Sequence, residues 1–521
     1  MPATQRLSCI AALGAVLAFN TVSGKAVPNN SSQDGGEWTA LTHQAPDFTG
    51  TMLLLTDGTV MVQAVRGVSP GNNWMRLTPD ASGSYVHGTW SNLAPMSIPR
   101  LYFASHVLPN GNVWVLGGEY AGFGLPAVWT NTGEMYDTVA NSWSPIAHHP
   151  DPNFGDDPSM LLSNGKILAG SIFTPNSYLY DIATNTWSFA AAKVYNDPSD
   201  EEGWVKLPDG SVLNYDLFKS IATSGSYAER YIPATNTWVG ISPSDGTASG
   251  FIPQLSSPQV GFELGAIVRL HDGRIFVLGA TGHTALYTPS TNTWAGGPDI
   301  VGTLNGNPVL FGCDDAPAAV LPNGHVFFTA DAGPTLGVFR PPTRIFDFDP
   351  DTDTISPVTS PTAGLDVLPA FVTRMLILPT GQLLFSDIER QLWAFTPTGA
   401  PPQNLKPRIE GIKYDGGGIF TLSGQQLNGQ SAGSNYGDDV ESDENYPIVS
   451  LMDKDGNIFY ARTTNWSTTE VATRVFRETV NFTLPASLVN PGVYWVTVCG
   501  AGISSVTSVA TQISAAEIAG R

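Results

Sequence analysis

The chain has 521 residues, with 54 glycines, 40 prolines, a hydrophobic share of 42% and a net charge of −21. That length holds two or three domains and a large core, and the hydrophobic share argues against wholesale disorder. The negative charge sets the chain against nucleic acid and anionic lipid as partners, and three cysteines are too few for a disulfide framework.

In chain order, residues 1–26 read as a secretory signal. Arg6 supplies the positive start, residues 10–19 the apolar stretch, and Ser23, Gly24 and Ala26 the small residues of a cleavage site. The apolar stretch is too short to span a bilayer and no later run is long enough, so the reading is a secreted, extracellular monomer without membrane insertion. Sequons at Asn30, Asn465 and Asn481 fit a glycoprotein.

Next comes a repeat. Asp57-Gly58, Asn110-Gly111, Asn164-Gly165, Asp209-Gly210, Asp272-Gly273, Asn323-Gly324 and Thr380-Gly381 interrupt apolar, β-branched runs. Successive turns lie roughly 45 to 63 residues apart, near the kelch period of about 50. Each repeat reads as four strands with a hairpin turn between the first two. In the second repeat the innermost strand is predicted at 102–108, with further strands at 113–116 and 134–137 and an outermost one from Ser142. Trp90, Trp143, Trp187, Trp238 and Trp294 mark outer strands that pack on neighbouring blades, with Ile355 in their place in the sixth. The seventh repeat lacks an outer strand. Residues 36–41, which match that pattern, are predicted to close the ring and remove two exposed sheet edges.

The predicted fold is all-β: a seven-bladed kelch-type β-propeller over 36–400, a proline-rich linker at 401–407, and an immunoglobulin-like β-sandwich over 408–513. Asp453-Lys454-Asp455-Gly456 reads as a hairpin turn, because the rest of a calcium-loop pattern is absent.

Alignment on the turns concentrates acidic residues where the chain enters the innermost strands, on the face opposite the turns. Asp156, Asp157, Asp200, Glu201, Glu202, Glu263, Asp314 and Asp315 lie there, with Arg100 and Tyr102 in the second repeat and Arg374 in the seventh. The loops between second and third strands add Glu119, Tyr120, Asp216, His283 and Asp331. Crowded carboxylates raise one another's pKa or require a cation, and oxygen donors suit calcium, magnesium or manganese. The alternative is carboxylates that cap loops or pair with nearby arginines. On the chemical reading, Tyr102, Asp157, Glu202, Glu263 and His283 are candidate catalytic groups. Arg100, Glu119, Tyr120 and Arg374 are candidates for holding substrate, and Asp156, Glu201 and Asp315 are candidate metal ligands. His106 reads as a hydrogen-bonded core residue, and His148 and His149 as solvated. Cys313 reads as a quiet buried thiol or as half of a disulfide with Cys499.

The signal, the propeller and the C-terminal sandwich together resemble the galactose oxidase-like family. The local marks are the stretch from Pro109 through Gly118, the stretch from Tyr436 through Ile448, and Tyr460-Ala461-Arg462 followed by Asn465-Trp466-Ser467. The resemblance implies a copper ion, a tyrosine–cysteine cross-link, a tyrosine followed by histidine in an innermost strand, and a histidine from the C-terminal domain. This chain has no histidine after His325, and Leu101-Tyr102-Phe103 stands where the tyrosine–histidine pair is sought. Copper is therefore disfavoured and a carboxylate-bound divalent cation preferred. The family's C-terminal domain also sends a loop toward the axis; here 435–444 would bring Asp438, Asp439, Glu441, Asp443 and Glu444. The leading expectation is an enzyme using lyase, isomerase or hydrolase chemistry on a small oxygenated or carbohydrate substrate. The alternatives are a non-catalytic glycan- or protein-binding propeller, marked by exposed Phe123, Phe173 or Phe218, and a copper radical oxidase with unusual ligands.

Overall fold

A computed structural model describes residues 35–67, 69–122, 129–435, 445–472 and 476–521. The predicted signal, Asn30, Phe123 and the acidic residues of 436–444 lie outside them. Seven sheets form the propeller, each built on four antiparallel strands; the fourth sheet gains Gly433–Asn435 on its inner edge and the fifth gains Ser249–Gly250, paired parallel, on its outer edge. Their innermost strands are Thr49–Leu54, Ala104–Val107, Ser159–Leu161, Gly203–Lys206, Ile267–Arg269, Ala318–Val320 and Arg374–Ile377. In the seventh blade Gly36–Ala40 pairs antiparallel with Trp393–Pro397, so the first strand among the described residues is the outer strand of the last blade.

The local chemistry explains the repeat. All seven turn glycines have φ between 75° and 98°, a region in which a side chain meets the backbone. The indoles of Trp38, Trp90, Trp143, Trp187 and Trp294 each donate to a carbonyl just past the outer strand of the preceding blade, on Thr359, His43, Ala94, Ala147 and Ile241, at 2.8 to 3.0 Å. Each tryptophan thus buries apolar surface and satisfies its polar atom in one contact. Trp238 instead donates to Ser177 Oγ at 3.1 Å.

Strands from Arg408–Gly416 to Val509–Ile513 form a curled, sandwich-like second domain. It covers the turn face. Thr463 N–H donates to Thr56 O at 3.1 Å, Arg462 Nη2 to Asn110 O at 2.6 Å, and Lys206 Nζ to Thr469 O at 2.7 Å. The hydrophobic core runs through the seam, from Leu54 and Tyr85 to Tyr446, Leu451 and Phe420. From this domain Gly433–Asn435 enters the channel and pairs antiparallel with the innermost strand of blade 4, Asn435 opposite Gly203. Asp453–Gly456 closes a hairpin between Ile448–Met452 and Ile458–Thr464.

The seam is testable at Gly58. A Cβ there would lie 2.5 Å from Tyr460 Cγ, whereas one at Gly165, of nearly equal φ, would meet nothing within 4 Å. Gly165→Ala is expected to cost about 1 kcal/mol, from the left-handed backbone alone. Gly58→Ala is expected to cost about 2 kcal/mol or more, because the clash adds to the strain. Urea unfolding of both variants gives the difference; equal losses would mean that Tyr460 does not press on the turn.

Two sequence expectations change. The second innermost strand begins at Ala104, not at 102, because Tyr102 has φ 55° and breaks the extended run. His149 is buried, although His148 is exposed. Its ring lies among Phe154, Tyr178 and Trp187 at centroid distances of 4.9 to 5.0 Å. His106 is buried and bonds to Ser159 Oγ at 2.8 Å. Cys313 and Cys499 are buried and unpaired.

Candidate functional site

The acidic face is organised by the backbone. Tyr102, Asp156, Glu201 and Asp315 occupy the same station, two or three residues before the innermost strands of blades 2, 3, 4 and 6, and all four have φ between 49° and 60°. Non-glycine residues hold this conformation only where their surroundings impose it. The imposition is a series of hydrogen bonds between blades. Asp156 N–H donates to Tyr102 O at 3.3 Å, Glu201 N–H to Asp156 O at 3.1 Å, and Asp315 N–H to Leu264 O at 3.2 Å.

At this hub Glu201, Glu263 and Asp315, from successive blades, each place a carboxylate oxygen within 4.8 Å of the other two. Glu263 is only 7% exposed and its Oε2 has no hydrogen-bond partner. Burial, then the charges of Asp200 and Glu119, push its pKa up to about 7, although bonds to Glu201 and Asp315 oppose the rise. Glu201 is held well above the usual carboxylate range by burial and by Glu263, Asp156, Asp315 and Asp200. Among the described residues no lysine or arginine forms an ion pair with Glu201 or Glu263. Such a group must hold protons or a cation.

A second carboxylate group, Asp197, Asp216 and Glu229, already has its cation. The buried Lys193 ammonium lies 3.4 Å from Asp197, 3.4 Å from Asp216 and 4.0 Å from Glu229. It also lies 2.5 Å from Glu202 Oε1 and donates to Pro198 O at 3.0 Å. Burial works against its charge, but the surrounding carboxylates outweigh burial and hold its pKa well above the ordinary lysine value. Adjacent residues thus serve different centres: Glu201 the hub, and Glu202 the lysine cage.

The predicted residues divide accordingly. Glu201, Glu263 and Asp315 converge. Asp156 and Glu119 lie within electrostatic reach of them. Tyr102 and Tyr120 meet edge to face at 5.8 Å, and burial, then Glu119 and Asp156, hold the Tyr120 phenol well above its ordinary pKa and keep it protonated. Glu202 belongs to the cage. Asp157 is fully buried and accepts from Gly155 N–H at 3.3 Å. His283 pairs with Asp299 at 2.7 Å in an exposed position. Both arginines are engaged by groups of the protein itself. Arg100, 1% exposed, donates to Gly117 O, Thr132 O and Oγ1, and Glu134 Oε1, and buried Arg374 donates to Phe371 O and Thr373 O. Lys193, Asp197 and Glu229 escaped the sequence reading. Lys193 is the only basic residue between Lys166 and Lys206, which marks it as the counterion of the acidic loop that follows.

The donor set is oxygen only. Neither carboxylate group contains a histidine or cysteine among the described residues. The Cys313 thiol donates to Thr329 O at 3.4 Å, and burial, then Asp314 and Asp331, push it well above its ordinary pKa. Copper favours imidazole and thiolate donors, so these residues do not fit it; they fit calcium, magnesium or manganese.

No protein-family model and no curated protein matches the chain. Among solved structures it is similar to a fungal alcohol oxidase of the AA5 family in complex with copper, at 14% identity and a TM-score of 0.51, over 92% of this chain and 100% of that one. It is also similar to YCF48 bound to a peptide, at 16% identity and a TM-score of 0.40, over 73% of this chain and 100% of that one. At 14% identity the likeness to the oxidase is one of fold.

Proposed function

We propose that the hub is a divalent-cation centre of a secreted enzyme that acts on a small oxygenated or carbohydrate substrate. One observation carries the reading: Glu201, Glu263 and Asp315, from three blades, bring carboxylate oxygens to one point without a basic partner for Glu201 or Glu263. A cation there would polarise a substrate oxygen. The protonated Tyr120 phenol suits a hydrogen-bond donor to that substrate. A propeller that only binds a glycan would use the same face. Phe173 favours that second reading, being 47% exposed beside Trp129 at 5.4 Å; Phe218 is half-buried and stacked on Phe262.

Elemental analysis and calorimetry with Ca²⁺, Mg²⁺ and Mn²⁺ test the centre. One ion per chain is expected, with affinity rising as pH climbs through about 7, because ligand carboxylates must shed their protons. Glu263→Gln is expected to weaken the ion about 10- to 100-fold. Stoichiometric copper, or an ion indifferent to Glu263→Gln, would overturn the assignment.

A further inference from the structure

Glu201 reaches the hub from a loop built around an ion pair that lies outside the hub. Lys193 closes that loop. Its ammonium donates to Pro198 O at 3.0 Å and to Glu202 Oε1 at 2.5 Å, and lies 3.4 Å from Asp197. Asp216 and Glu229 hold the same ammonium against the second and third strands of blade 4, Val212–Asp216 and Tyr227–Ile232. The other oxygen of Glu202 accepts from Asn214 Nδ2 at 2.7 Å, again on Val212–Asp216. Both oxygens of Glu202 are therefore engaged, and its side chain is fully buried.

The residue beside this anchor is Glu201, with φ 60°. A non-glycine residue leaves that conformation unless its flanks are fixed. One flank is the bond from Glu201 N–H to Asp156 O at 3.1 Å; the other is Glu202. Rotation of the backbone at Glu201 would swing its carboxylate away from Glu263 and Asp315. Resting on the reading of the hub as a cation centre, we infer that Glu202 is the positioning residue of that centre. It touches no ion. Held by Lys193 and Asn214, it fixes the backbone that presents Glu201, as outer partners of a metal site orient the ligands themselves.

The test is calorimetry with Mn²⁺ on the full chain. Glu202→Asp keeps the charge but withdraws the carboxylate by one methylene, and is expected to weaken Mn²⁺ about 10-fold. Glu202→Gln removes the charge but keeps an oxygen for Lys193 and, with the Asn214 amide turned over, a bond to Asn214; it is expected to stay within about 3-fold of wild type. Asn214→Ala, which frees one oxygen of Glu202 without changing charge, is expected to weaken the ion in the same direction as Glu202→Asp and carries the test if that variant does not fold. Gly58→Ala, destabilised at the distant seam, is expected to bind Mn²⁺ as wild type does. Glu201→Gln combined with Glu202→Asp is expected to bind no more weakly than Glu201→Gln alone, because a misdirected ligand has nothing further to lose. Additive losses in that pair, equal weakening by Glu202→Asp and Glu202→Gln, or unchanged binding in both Glu202→Asp and Asn214→Ala would overturn the positioning role and leave the cation centre standing. A wild-type chain that takes no Mn²⁺ would overturn both.

Discussion

Replacing Lys193 by methionine is expected to destabilise the protein by about 3–5 kcal/mol at neutral pH, the range for removing one partner of a buried ion network. The ammonium is fully buried among Asp197, Glu202, Asp216 and Glu229. Even beside it, burial raises Asp197 to about 7 and Asp216 to about 6. Without it both rise further, and the cage persists only by taking up protons. The sign follows from linkage. A carboxyl whose folded pKa is raised contributes stability that is complete below its unfolded value near 3.8 and is lost as pH rises through the folded value. The deficit of Lys193→Met is therefore expected to be larger at pH 8 than at pH 5. Urea unfolding at both pH values measures it, and Glu202→Gln in the same background, which removes one stranded charge, is expected to restore part of the loss. A deficit below about 1 kcal/mol at pH 8, or one independent of pH, would show that the cage does not depend on its ammonium.

The same cage shows where sequence reading stops. A glycine at φ 75° or beyond and an indole that needs a carbonyl are local requirements, so the turns and tryptophans could be read residue by residue. The direction of a side chain in an irregular loop has no such rule. Alternation in a strand sends neighbours to opposite faces, but at Asp200-Glu201-Glu202 the directions depend on the left-handed backbone of Glu201 and on Lys193, nine residues before Glu202. Alignment on the turns therefore located the acidic station and could not divide it between hub and cage. Arg100 failed for a related reason. An arginine beside an acidic face looks available for an anion, yet its guanidinium is spent on carbonyls of its own blade and on Glu134.

His149 provides the second large effect. Its Nδ1 accepts from Asp151 N–H at 3.3 Å, which leaves the proton on Nε2. The ring is enclosed by Phe154, Tyr178 and Trp187. Burial depresses its pKa from 6.5 to about 4, against the opposing charge of Asp151. For a base with a depressed folded pKa, the unfolded chain binds more protons between the two values, so stability falls as pH drops from 6.5 toward 4. The contribution lost across that window is about 3 kcal/mol at 1.36 kcal/mol per unit. The raised hub carboxyls act in the opposite sense, gaining stability on acidification, so the wild-type profile alone would hide the histidine. A difference profile isolates it. His149→Phe keeps an aromatic ring in the box but leaves Asp151 N–H without its acceptor, which is expected to cost about 1 kcal/mol at pH 7. As pH falls to 4 the variant is expected to overtake the wild type, because only the wild type must force a charge into the ring box or unfold to release it. Thermal unfolding of the pair at half-unit steps would show the crossing, and parallel curves from pH 7 to pH 4 would mean that the imidazole titrates as it does in water.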